Sequence, residues 1–260
     1  MKIQSFAIIL FCCAGFVALA QEKEDIITDR PDQTEAPSLV PRGGLQLETG
    51  FMYETDTHDG VRAKNTTYNT SLLKYGINEH FELRLISEFL GERAEVNEVT
   101  VSEVKGISPL ALGLKIRLAD ENGVWPQAAL IGHLNLRTGS REFKPQHAAM
   151  DFRFTCAHTL SDKFSLGYNA GAEWSGDGKN AGATFLYTAT VGYTVTSKIG
   201  AFIESYAFFP EGQKPDHRLD GGLTYKFTPV IQWDVSAGIG LTENAPDQFI
   251  STGLSVRMFK

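Results

Sequence analysis

The feature that most constrains this chain is an alternation of apolar and polar side chains with period two, repeated from Leu45 to the C-terminus. Leu219, Leu223, Tyr225 and Phe227 alternate with Arg218, Asp220, Thr224 and Lys226. After Thr228-Pro229 the pattern resumes, with Ile231, Trp233, Val235 and Ile239 set against Gln232, Asp234, Ser236 and Gly238. Period two is the geometry of a β-strand, whose successive side chains leave opposite faces. A chain made of such strands has an apolar face and a polar face along its whole length. What it can fold into depends on which face meets water.

The alternation predicts about twelve strands of roughly 9–12 residues, the length of a tilted strand that crosses a bilayer. The first run from Leu45 to Tyr53, from Thr66 to Ile77 and from Phe81 to Phe89, and Leu110–Leu118 is the cleanest. Connections alternate in length. Asn78-Glu79, Asp120–Gly123, Ser161–Lys163, Thr196–Lys198 and Thr228-Pro229 are short turns. Glu54–Lys64, Gly91–Gly106, Arg137–Ala148, Ser175–Asn180 and Pro210–Asp216 are longer, polar and charged, and are expected as loops. Short turns at one end and longer loops at the other are the habit of outer-membrane barrels. The expected fold is all-β: a closed antiparallel transmembrane β-barrel, with short periplasmic turns and longer outer loops.

Size sets the orientation of the faces. A ring of about twelve strands is too wide for an apolar lumen to be filled by side chains. The apolar face therefore meets lipid, and the polar face lines a wet lumen. Tyr53 and Trp174 are expected near outer strand ends, and Trp125, Tyr193, Tyr225 and Trp233 near periplasmic ends, as two interfacial girdles. The competing fold is a soluble β-sandwich with apolar faces packed together; long strands with alternating loop lengths argue against it.

Residues 1–20 read as a secretory signal peptide: Lys2, an apolar run from Ile3 to Val17, and Ala18-Leu19-Ala20 as a cleavage site. Residues 21–42 are polar and carry Pro31, Pro37 and Pro41, which exclude a helix or central strand. This extended segment is either a linker or a piece that folds back into the lumen as a plug, with Asp29, Arg30 and Asp32 as the residues to hold it there. The barrel then occupies 43–260. The formal net charge is −7, and loss of Lys2 with the leader makes the mature chain more acidic still. No nucleic-acid partner is expected from such a balance. Cys12 and Cys13 leave with the leader, so Cys156 stands alone and no internal disulfide is expected.

At the last strand, Ser251-Thr252-Gly253-Leu254-Ser255-Val256-Arg257-Met258 resembles the C-terminal signal read by the outer-membrane barrel-assembly machinery. Gly253, Val256, Met258 and Phe259 carry that likeness. More widely, Ile27-Thr28-Asp29-Arg30-Pro31-Asp32, Leu110-Ala111-Leu112-Gly113-Leu114-Lys115, and Gly221-Gly222-Leu223-Thr224-Tyr225 through Trp233-Asp234-Val235-Ser236-Ala237-Gly238 resemble the family grouped as "MetA-pathway of phenol degradation" or transporter-like outer-membrane proteins. The resemblance covers nearly the whole mature chain and implies a barrel of the bacterial outer membrane. Its partners would be membrane lipid, the assembly machinery and a small solute of unknown identity.

The polar face places Glu48, Glu82, Arg84, Lys115 and Arg117 along the first strands of the expected lumen. Arg153, Glu173, Glu204, Asp220 and Asp234 follow on later strands. Both signs are present. Such residues either pair across strands to hold the barrel or line a pore and set its selectivity. An outer-membrane hydrolase or acyltransferase would need a Ser–His pair, but neither His133 nor His158 is tied by spacing to any serine. No metal-ligand spacing or phosphate loop appears, so no metal or cofactor is expected. The sequence thus points to a passive channel or transporter, with a lipid-modifying enzyme and a structural surface barrel as the other readings.

Overall fold

The computed structural model describes residues 24–177 and 182–258. The proposed leader and Phe259 lie outside the described residues. Thirteen strands form one antiparallel sheet: β1 Leu45–His58, β2 Val61–Gly76, β3 Phe81–Val96, β4 Val99–Ile107, β5 Ala111–Ala119, β6 Gln127–Asn135, β7 Ala149–Thr159, β8 Phe164–Trp174, β9 Ala183–Thr194, β10 Ile199–Pro210, β11 Asp216–Thr228, β12 Ile231–Gly240 and β13 Gln248–Met258. The ring closes because β1 pairs with β13, from Leu45↔Met258 to Thr55↔Gln248, and also with β2, which pairs with β3. Twelve strands make the barrel, and β4 is the extra one.

The partner of β3 is interrupted. Its first half pairs with β5, Phe81↔Ile116 to Ile86↔Ala111, and its second half with β4, Phe89↔Ile107 to Val96↔Val99. Between them lies Ser108-Pro109-Leu110, where a proline cannot donate to the ladder. The stretch Gly91–Gly106 is therefore strand, not the loop its charge suggested. Val99-Thr100-Val101-Ser102 is β-branched and polar, and most of β4 is exposed. A ribbon wet on both faces has no apolar stripe to betray it. Glu54–Lys64 is corrected in the same way: β1 and β2 continue to a two-residue turn at Asp59-Gly60, with φ of 51° and 78°. Two left-handed residues in succession make a type I′ hairpin turn, and Asp-Gly is among its preferred pairs. Asn97-Glu98, with φ of 49° and 66°, turns β3 into β4 by the same device.

Burial runs opposite to that of a water-soluble core. Ile203, Leu223, Ile239 and Ile250 are 50–56% exposed, while Glu48, Glu82, Lys115 and Asp234 are 0% exposed. The apolar face looks outward and charge looks inward, as a lipid-facing barrel requires. Tyr225 and Trp233 are paired across β11 and β12, and the rings of Phe164 and Tyr193 lie 4.9 Å apart across β8 and β9. These aromatic residues gather at the end of the barrel that carries the short turns. No helix among the described residues is long and apolar enough to cross a membrane.

Candidate functional site: the occupied lumen

The site is built by residues 24–42, which enter the barrel and leave it at the same end. Entry is fixed by the Ile26 amide, which donates to the Pro229 carbonyl (2.7 Å) at the β11–β12 turn. Exit is fixed by the Val40 amide, which donates to Glu82 (2.8 Å), and by a bridge between Arg42 and Gly76 at the end of β2. With prolines at 31, 37 and 41 the segment makes few bonds to itself. Its buried backbone groups must therefore find partners on the wall.

Asp29 is the central contact. Its carboxylate lies 2.8 Å from Lys74, 2.9 Å from Arg84 and 3.1 Å from Lys115, on β2, β3 and β5. Its amide donates to Glu48 at 3.0 Å, and Glu48 also pairs with Lys74. Burial alone would raise the Asp29 carboxyl; Lys115, Lys74 and Arg84 outweigh it and hold the group well below the usual carboxylate range. Glu35 extends the cluster through Arg84 at 2.7 Å.

Arg30 reaches the other way. It pairs with Asp234 and donates to the Ser251 hydroxyl, both at 2.9 Å, on β12 and β13. Gly50 and Gly253 face each other across β1 and β13, and a Cβ at either would stand 2.3 Å from the Arg30 guanidinium group. These two glycines are the floor on which the guanidinium lies. Gly253 is thus a lumen residue as well as part of the C-terminal motif, while Val256 and Met258 sit on the opposite, outward face.

Farther along the segment, the Gln33 amide donates to Glu204 (2.7 Å), and the Thr34 hydroxyl binds both Glu204 and Thr188. The Glu35 amide donates to Asn169 (2.7 Å), and Arg153 donates to the Gln33 carbonyl (3.1 Å). Ser38 binds Gln127 (3.2 Å) and Asp25 pairs with Lys226. Every strand of the ring thereby contributes a bond to the segment, and among the described residues β4 contributes none.

Asp32 behaves unlike Asp29. Burial, then the carboxylates of Glu204 and Asp220, push it well above the usual carboxylate range. Of the residues singled out from sequence, Glu48, Glu82, Arg84, Lys115, Arg153, Glu204 and Asp234 all touch the segment. Arg117 instead binds Asp120 at a periplasmic turn, Glu173 borders an outer cavity, and Asp220 faces Glu204. Lys74, Glu35, Asn169 and Thr34 are the residues that sequence reasoning passed over. Lys74 alternates with Leu73 and Tyr75, and Asn169 with Tyr168 and Ala170, so the polar faces of β2 and β8 place both; Glu35 and Thr34 bind through segment geometry that no period encodes.

Two of the cavities border the lumen beside the segment. One, of about 590 Å³ at the outer end, is bordered by Glu173, Thr184, Phe208, Asp216 and Arg218. The other, of about 400 Å³ at the periplasmic end, is bordered by Asp32, Ser165, Thr190, Phe202, Thr224 and Gln232. His133 lies 2.8 Å from Asp151 through Nδ1, and its Nε2 accepts from Arg84 Nε at 3.1 Å. The nitrogen that would serve as a base is engaged by a cation.

A closed ring with lipid-facing apolar residues and a charged lumen defines an outer-membrane β-barrel. The family described as putative MetA-pathway of phenol degradation matches residues 28–258, and the chain belongs to that family. An outer membrane channel from Pseudomonas putida F1 is similar in structure, with 13% identity, a TM-score of 0.67, and coverage of 85% of this chain and 97% of that one. The NanC porin (8% identity, TM-score 0.52, 82% and 100% covered) and the KdgM porin in complex with disordered oligogalacturonate (11%, 0.51, 84% and 99%) share the architecture. At these identities the likeness shows the fold. No curated protein matches the chain in sequence.

Proposed function

We propose that the chain is a passive channel for small solutes across the outer membrane, with residues 24–42 as a plug that narrows its lumen. The observation that carries this reading is the pair of cavities opening at opposite ends of one polar lumen, with the segment bonded between them. Diffusion through such a lumen is shaped by the charges and width of its lining. The reading assigns no catalytic step to the chain. Outward-facing Val256 and Met258, with Gly253 and Phe259, supply the motif for recognition by the assembly machinery, and the apolar belt is the contact with lipid.

Reconstitution in planar bilayers tests the reading. Small, frequently blocked current steps are expected from the full chain, and larger ones after deletion of Glu22–Pro41. Absence of current from both proteins, folded and inserted, would contradict it.

A further inference from the structure

We propose that the outward face of the β1–β4 ribbon, just above the lipid-facing belt, is a docking site for the phosphorylated sugar headgroup of an outer-leaflet glycolipid. Such a site follows from the barrel fold and stands whether or not the lumen conducts.

Depth puts this face at the membrane surface. A tilted strand climbs about 2.5 Å per residue along the membrane normal, so an apolar belt ~25 Å tall takes up about ten residues. β3 starts at Phe81, beside a periplasmic turn. Its outward Leu83, Leu85 and Phe89 lie within that height, and Gly91 and Arg93, on the same face, come level with the outer headgroups. The register carries the face across the ribbon. Gly91 stands between Thr66 of β2 and Lys105 of β4, Arg93 between Lys64 and Glu103, and Glu95 opposite Arg62. Four cations, Arg62, Lys64, Arg93 and Lys105, thus share this face with two carboxylates, Glu95 and Glu103, on a chain whose formal net charge is −7.

A cavity of about 270 Å³ opens among these groups, bordered by Tyr53, Lys64, Tyr68, Gly91, Arg93 and Lys105, and by Glu92 and Glu103. Tyr68 is the extra residue of a β-bulge in β2, a device that re-aims a side chain. Its ring is 40% exposed, rests on Phe89 with centroids 5.3 Å apart, and has Lys105 Nζ over it at 5.6 Å. Gly91 makes room for it: a Cβ there would stand 2.8 Å from the Tyr68 ring. An exposed aromatic ring takes the C–H face of a sugar, and the ammonium and guanidinium groups around it take phosphate. The ion pairs already present do not prevent this. Lys105 binds Glu103 and Arg93 binds Glu95 through side chains that are nearly half exposed. Exposed pairs of this kind contribute little, and a phosphate brings more charge than a carboxylate. Arg62 enters no ion pair among the described residues. Phe89 and Ile107, opposite one another just below the cavity, continue the face into the apolar belt. Acyl chains of a docked molecule would lie there, which favours a membrane lipid over a free sugar phosphate.

The test is native mass spectrometry of the full-length protein, loaded in detergent with diphosphorylated lipid A and, separately, with the same lipid freed of its phosphates. Retention of one molecule of the phosphorylated lipid is expected, several-fold above that of the dephosphorylated one. The variant Lys64→Gln, Arg93→Gln, Lys105→Gln is expected to lose that excess, while Lys163→Gln, Lys198→Gln, at periplasmic turns, keeps it. Folding is checked by heat-dependent migration in detergent gels. If the triple variant does not fold, Lys105→Gln alone, at an exposed pair, is expected to lower retention in the same direction. Equal retention of the two lipids, equal retention by the parent and ribbon variants, or an equal loss in the turn variant overturns the site. Occupancy by glucosamine 1-phosphate at the concentration that loads lipid A overturns the membrane source.

Discussion

Asp29 shows what one residue does here. Three cations converge on it from three strands, so its removal leaves buried positive charge uncompensated, a loss of about 3–5 kcal/mol for a buried pair broken from one side. Asp29→Asn is expected to loosen residues 24–42 while leaving the barrel intact. Limited proteolysis from the periplasmic side should cut that segment faster in the variant, and equal cutting would contradict the assignment. The pH response has two signs. Asp29 has a lowered value, so its contribution is present above the ordinary carboxylate range and is lost only as pH falls through the lowered one. Asp32 has a raised value, so its contribution is lost as pH rises through that value. Ionisation then sets a new charge beside Glu204 of β10 and Asp220 of β11, with the Thr190 hydroxyl of β9 too weak a partner to offset it. From mildly acidic to alkaline pH, hydrogen exchange at Gln33 and Thr34 should quicken while that at Asp29 and Arg30 holds; equal change at both would refute the division. The charges of Asp29, Arg30 and Asp32 were legible in the sequence as plug candidates. Their opposite environments were not, because these depend on which strand each residue meets.

At the scale of elements, the sequence announced every strand that has lipid on one side. It hid those that have water on both. Leu110–Leu118 was plain because Leu112, Leu114, Ile116 and Leu118 alternate with polar or small residues. β4 and the outer parts of β1 and β2 were read as loops because period two needs an apolar face to be visible. Asp59-Gly60 was the one local clue to that hairpin. The outward belt makes a prediction of its own. Ile203→Arg, midway along β10, is expected to destabilise the barrel by about 2–4 kcal/mol if it meets the bilayer centre, read as a lower denaturant midpoint in liposomes. Ile203→Leu should leave the midpoint unchanged, and tolerance of arginine would contradict the lipid-facing assignment. Gly253→Leu tests the floor under Arg30. A side chain there would stand on the guanidinium, so the Arg30–Asp234 pair should break and the segment should exchange faster.

For the whole molecule, the ring, its width and its inside-out burial follow from strand count and period. About twelve strands are too many to fill with side chains, and this chain lays part of itself in the remaining space. The lumen thereby holds one cluster in which Lys74, Arg84 and Lys115 are matched by Asp29, Glu35, Glu48 and Glu82, and another place where Asp32, Glu204 and Asp220 meet. That division was out of reach from sequence, since both signs alternate along the chain without regard to which side they reach. It follows from the path of residues 24–42, which fixes the charges that are matched and those that are left. Single-channel recording in planar bilayers of the full chain beside the form lacking Glu22–Pro41 tests the plugged-channel account most directly. The account predicts a larger and steadier conductance once the segment is removed; identical conductance in the two forms would contradict it.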